Sequence, residues 1–141
     1  FKELILLRVT LEIHAACAAL PFITNHLVND LSDLDLEIDA AVEKENYNQQ
    51  IILNQQFHEL IYTANSEQVI MPMIESIWLQ LGPFNRIAAR NIKEFYVVDH
   101  HKEILSALHG RHKEDLKVAI NADIKGAVGQ LHPDALERIL K

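Results

Sequence analysis

Asn54 and His58 stand four residues apart in the run Asn54-Gln-Gln-Phe-His58. On a helix they point the same way. Phe57 and Ile61 lie on or beside that face and should turn it inward. Two polar side chains on an inward face need partners, because burying an unsatisfied polar group costs about 1–3 kcal/mol. A bound metal ion would satisfy both. Further along, His101 falls four residues after Val97 and three before Ile104, and Asp123 falls between Ile120 and Ala127. Each is a polar residue on an apolar stripe, and helix bundles build metal sites from such side chains on different helices. Imidazole nitrogen and carboxylate oxygen suit zinc, nickel, manganese or iron. Pattern alone leaves a second reading open, in which the histidines are ordinary core residues and Asp123 pairs with a lysine. The single cysteine, Cys17, excludes a thiolate-rich structural site and an intrachain disulfide. It points to a reducing, cytoplasmic setting.

The elements that must position these groups are helical. Four glycines and four prolines in 141 residues leave room for long helices and few turns, and no stretch alternates as a strand does. The expected fold is an all-α antiparallel bundle of six to seven helices, one domain over residues 1–141. The first helix is expected from Lys2 to Leu20, buried along Leu4, Leu7, Leu11, Ala15 and Ala18, and ended by Pro21. Arg8 lies beside that stripe, where its stem would pack and its head reach water. Thr24 is placed to cap the second helix, whose stripe is Leu27, Leu31, Leu34, Ile38 and Ala41. Asp30, Asp33, Asp35, Glu37 and Asp39 read as its solvated face. The third helix, Asn48 to Ala64, carries Asn54 and His58. A fourth, from Asn65-Ser66, holds Val69, Ile70, Met73, Ile77, Trp78 and Leu81. Pro72 should bend it or mark a later start, and Gly82-Pro83 should stop it. A fifth helical stretch, from Phe84 to His109 with a break near Asn91 to Lys93, buries Val97, Val98, His101, Ile104, Leu105 and Leu108. Gly110 fits the glycine that follows a helix. The sixth helix starts near His112 with Leu116, Ala119, Ile120, Asp123, Ala127 and Gln130 facing in, and a short seventh follows Pro133.

Bulk properties narrow the functions. A net charge of −7 argues against this stretch gripping a phosphate backbone by itself. The apolar stretch from Leu4 to Leu20 is interrupted by Arg8, Glu12 and His14, so no membrane span is expected. The chain begins at Phe1 and directly in a helix, and reads as a fragment of a longer protein. A metal-dependent hydrolase or lyase is conceivable, because a His/Asp site with an open position activates water. However, no nucleophile and base pair and no His-Glu-x-x-His run is present. No catalytic residue is therefore assigned. A metal-free helical dimerisation module is the third possibility.

Three pieces in order carry a family resemblance: Leu7-Arg8-x-x-Leu11-Glu12-x-x-Ala15-Ala16, then Asn54-x-x-Phe57-His58, then His101-x-x-Ile104-Leu105-x-Ala107-Leu108. Together they resemble the FCD group of GntR-type transcription regulators, named after the C-terminal domain of FadR, over nearly the whole chain. The resemblance implies an all-helical bundle that forms a homodimer. It also implies DNA binding only through an N-terminal winged helix-turn-helix, which is not in this sequence. It further implies a divalent metal, zinc or nickel first, held by an aspartate and three histidines. Those positions map to Asn54, His58, His101 and Asp123. Two depart from the pattern, Asn54 for the aspartate and Asp123 for the last histidine, which moves the carboxylate across the site and keeps one negative charge. Arg8 matches an arginine that faces the effector pocket, and its guanidinium fork suits a small carboxylate effector. Arg86 and Arg90 are further candidates for that pocket. The implied function is an effector-sensing domain that modulates an attached DNA-binding module.

Overall fold

A computed structural model describes residues 1–90 and 99–128, with side chains through 85 and through 126 in the two stretches. Six α-helices account for most of these residues: α1 Lys2–Ala19, α2 Asn25–Glu43, α3 Tyr47–Tyr62, α4 Met71–Arg90, α5 His101–Gly110 and α6 Lys113–Val128. No strand occurs among the described residues. The expected break at Asn91 to Lys93, the Val97 and Val98 stripe positions, Gln130 and the helix after Pro133 lie outside them. So does the side chain of Ala127.

Local chemistry sets the helix ends. A 3-10 turn, Leu20–Phe22, follows α1 and contains Pro21. Thr24 caps α2, its hydroxyl accepting the Leu27 N–H at 3.0 Å, and Asn46 caps α3 through the Gln49 N–H at 3.2 Å. Such a cap satisfies one of the donors that a helix start leaves unpaired, worth about 1 kcal/mol. Between them Glu45 takes a left-handed φ of 55°. The Asn46 and Glu45 N–H groups then close back on Ala41 and Val42, the hydrogen-bond pattern of a Schellman C-cap. The same pattern ends α5, but the left-handed residue is Arg111, with φ 57°, not Gly110. The His112 and Arg111 N–H groups donate to Ala107 at 2.9 Å and Leu108 at 3.3 Å. Gly110 is the last helical residue, and the reversal comes one residue later.

The core follows the expected stripes on α2, α5 and α6. Leu31, Ile38, Ile104, Leu108, Leu116 and Ile120 are fully enclosed. Two helices differ from the expected pattern. On α1 the inward face is Arg8, Glu12, Ala15, Ala16 and Ala19, and Leu7 is exposed. The polar pair wins the inward position because α3 and α4 supply its hydrogen-bond partners. α4 starts at Met71, so Pro72 sits in its first turn, where a missing N–H costs nothing. Val69 and Met73 are consequently exposed. α4 also runs on through Gly82-Pro83 to Arg90. Packing holds it on both sides of the proline: Leu81 is buried before it, and the Phe84 ring stacks at a tilt on Phe1 at 4.8 Å after it. Helix α1 packs on α3, α4 and α6, while α5 joins α2 to α6.

Contrary to the expectation for the N-terminal stretch, Lys2–Phe22 is long and apolar enough, by length and composition, to cross a membrane. Its inward face nonetheless carries a buried Arg8–Glu12 ion pair, which suits a core helix.

Candidate metal centre

Three helices deliver side chains to one point. α3 places His58, α5 places His101 and α6 places Asp123, all buried. The donor atoms of these three lie within 4.8 Å of one another. Asp123 is at the middle: its Oδ2 is 2.8 Å from His58 Nε2, and its Oδ1 is 3.4 Å from His101 Nε2. Oδ1 also accepts the backbone N–H of His100 at 2.9 Å, which holds the start of α5 against α6. The lysine partner considered for Asp123 is replaced by two imidazoles.

Each imidazole is held from behind. His101 Nδ1 lies 2.7 Å from Asp35 Oδ1 on α2, and the His101 ring stacks on Phe57 with centroids 4.3 Å apart. An ionised carboxylate only accepts, so Nδ1 is the protonated nitrogen. The opposite nitrogen, Nε2, is buried 3.4 Å from Asp123 Oδ1 and has no hydrogen-bond partner among the described residues. His58 Nδ1 lies 3.0 Å from the Tyr62 hydroxyl, which donates to Glu12 Oε1 at 2.7 Å. The Tyr62 proton is thereby committed to Glu12. Its oxygen accepts from the Nδ1–H of His58, which leaves Nε2 as the nitrogen that meets Asp123. Both Nε2 atoms then face the Asp123 carboxylate, and a positive charge between them, a proton or a metal ion, is what lets the three groups converge. This is the outer-shell arrangement that orients histidines on metal ions.

Electrostatics agree with a cation-seeking site. Burial alone would lower the pKa of His101, but Asp123 and Asp35 outweigh it and raise the value to about 10. Burial would likewise raise Asp123, yet the His101 and His58 imidazoles beside it hold it well below the usual carboxylate range. The metal-free site therefore fills its cation position with a proton. A divalent ion of nitrogen-and-oxygen preference fits the same position, with His58, His101 and Asp123 as its protein ligands.

Asn54 lies one turn before His58 and is half-buried. Arg8 is buried, its Nε donating to Glu12 Oε2 at 2.5 Å. Burial works against its charge, but Glu12 and, more weakly, Tyr62 and Asp123 raise its pKa. Arg86 and Arg90 lie on the last turns of α4, with side chains outside the described residues. Of the remaining histidines, His14, His26, His109 and His112 are exposed and His100 is half-buried, while His132 lies outside the described residues.

Three residues of the site escaped the sequence reading. Asp35, expected on the solvated face of α2, is buried. The signal was present, since it follows Leu31 by four and precedes Ile38 by three. Glu12 and Tyr62 are fully enclosed. Glu12 lies four after Arg8 and Tyr62 four after His58, a same-face spacing. Trp78, expected in the core, is there, and its indole N–H donates to Glu12 Oε2 at 3.1 Å.

The FCD domain family model matches residues 3–126. The HTH-type transcriptional regulator McbR of Escherichia coli (strain K12) is 26% identical over 113 residues, 77% of this chain and 50% of that protein. The chain thus spans about half the length of this curated relative. The solved structure of E. coli McbR/YncC superposes with a TM-score of 0.81 at 24% identity, covering 91% of this chain and 65% of that one, a likeness of fold.

Proposed function

The chain belongs to the FCD domain family of GntR-type transcription regulators, and on that premise we propose that it is an effector-sensing domain with a metal-anchored site. The family is one of regulators, not enzymes, which sets aside the hydrolase or lyase reading. One divalent ion, zinc or nickel first, is held by His58, His101 and Asp123, with Asn54 as the weakest ligand. A small carboxylate takes an open position of the ion and is gripped by Arg8, whose Nε is held by Glu12 and whose terminal nitrogens make no hydrogen bond among the described residues. Arg86 and Arg90 are assigned to the same pocket. Effector binding shifts the geometry of a homodimer that carries DNA-binding modules in the cytoplasm.

The observation that carries this reading is the pair of imidazoles fixed at Nδ1 by partners behind them, both presenting Nε2 to one buried carboxylate. Structural core histidines need no such convergence. Metal analysis of the purified domain tests it: one ion per chain is expected in the parent and none in His58→Ala. Metal content in His58→Ala equal to the parent's would place the site elsewhere.

A further inference from the structure

Glu12 lies on no metal and yet joins more of the site than any other residue. It is fully buried on α1. Its Oε2 accepts from Arg8 Nε at 2.5 Å and from the Trp78 indole N–H at 3.1 Å. Its Oε1 accepts the Tyr62 hydroxyl at 2.7 Å, and that hydroxyl is 3.0 Å from His58 Nδ1. A carboxylate is the only side chain group that accepts all three donors without offering one of its own. Its charge also answers the buried guanidinium of Arg8. One residue therefore holds the arginine on one side and, through one hydroxyl, the tautomer of a metal ligand on the other.

We propose that Glu12 is a positioning residue that couples the two halves of the site, holding Arg8 for the effector and forcing the His58 Nε2 lone pair towards the metal position. This rests on the metal reading above. The polarity of the chain of bonds makes it specific. In Glu12→Gln, Arg8 and Trp78 both demand an acceptor at the Oε2 position, so the amide carbonyl stays there and the amide NH2 faces Tyr62. The NH2 donates to the Tyr62 oxygen, whose proton then turns to His58 Nδ1. That moves the histidine proton to Nε2, where it blocks the metal. Tyr62→Phe is milder, because it releases the tautomer without reversing it and leaves the Arg8–Glu12 pair intact.

Zinc affinity measured by competition with a chromophoric chelator tests this on the whole chain, with circular dichroism to verify folding. Removing an outer-shell partner typically costs about 10–100-fold in metal affinity. Tyr62→Phe is expected to weaken zinc about tenfold and Glu12→Gln more. Adding Tyr62→Phe to Glu12→Gln should cost nothing further, because the reversed hydroxyl is gone; independent structural damage would add instead. Parent affinity in Tyr62→Phe, or fully additive losses, overturns the role of Glu12. If Glu12→Gln fails to fold, the Tyr62→Phe affinity decides alone. A parent chain that holds no zinc, or His58→Ala with the parent's affinity, overturns the metal reading and this proposal with it. Normal zinc binding that depends on His58 but ignores Tyr62 overturns only the proposal.

Discussion

His58, His101 and Asp123 meet around one position that takes a positive charge, a proton or a metal ion. Replacing His58 or His101 by alanine is expected to abolish stoichiometric metal, because two protein ligands do not make a closed site. Asn54→Asp should tighten binding by adding an anionic oxygen in place of a neutral one. Both are read by metal analysis after dialysis. The pH dependence has a definite sign. The pKa of His101 is raised to about 10, so at neutral pH the metal-free protein carries a proton that the ion must displace. Zinc affinity should rise by about tenfold per pH unit for each proton released, from pH 6 towards 9. The same shift is a stability term. For His101, the folded value exceeds the unfolded one, so the stabilisation of the metal-free fold is full below about pH 6.5 and is lost as pH rises through about 10. For Asp123 the folded value is depressed, so its contribution is present above about pH 4 and lost as pH falls below that. Melting curves across pH, with and without zinc, separate the two. These three residues were legible in the sequence because each broke an apolar stripe of known period. Asp35 lay on such a stripe too, but four neighbouring acids drew it into a solvated-face reading. A count of charges gave way there to a single buried hydrogen bond.

Elements were legible where packing and local preference agree, and least where packing overrode preference. Thr24 as a cap and the stripes of α2, α5 and α6 follow from local rules. The inward face of α1 does not, because its leucines suggest one face while the arginine and glutamate take the other. Only the donors on α3 and α4 make that choice favourable, and a single-helix pattern cannot see them. Pro83 is the second case. A proline inside a helix loses a backbone hydrogen bond and costs up to about 3 kcal/mol relative to alanine, yet α4 continues because its flanks are packed. Pro83 is exposed, so its replacement disturbs no core contact. Pro83→Ala is accordingly expected to stabilise the domain by about 1–3 kcal/mol, measured by chemical denaturation at fixed metal content. No change would mean that the helix is already distorted enough to have no bond to regain.

Among the described residues, Leu6 and Leu7 on α1 and Met73 and Leu79 on α4 leave apolar surface exposed. Burial of such side chains is worth about 1.5–3 kcal/mol each, and a second copy is the occupant that the family membership favours. A dimer is therefore expected in sedimentation at micromolar concentration, weakened by Leu6→Glu; a monomer there would count against it. Effector choice depends on charge summed over several helices. The domain is acidic, at −7, so attraction of an anion must be local and must come from the metal and Arg8. A small hydroxy-carboxylate or carboxylate is expected to bind more tightly than neutral sugars or aromatic amines. Arg8→Ala is a poor probe, since it strands Glu12 as an unpaired buried charge, a loss of about 3–5 kcal/mol of stability. Arg8→Lys keeps the charge and removes the two-pronged grip, and should weaken the effector while the fold persists. Calorimetry with a panel of metabolites, on zinc-loaded and chelated protein, is the measurement. Binding should fall strongly on chelation and further in Arg8→Lys. Equal affinity with and without metal, or tight binding of a neutral compound alone, would sink the metal-anchored carboxylate, since neither source of local positive charge would then be in use.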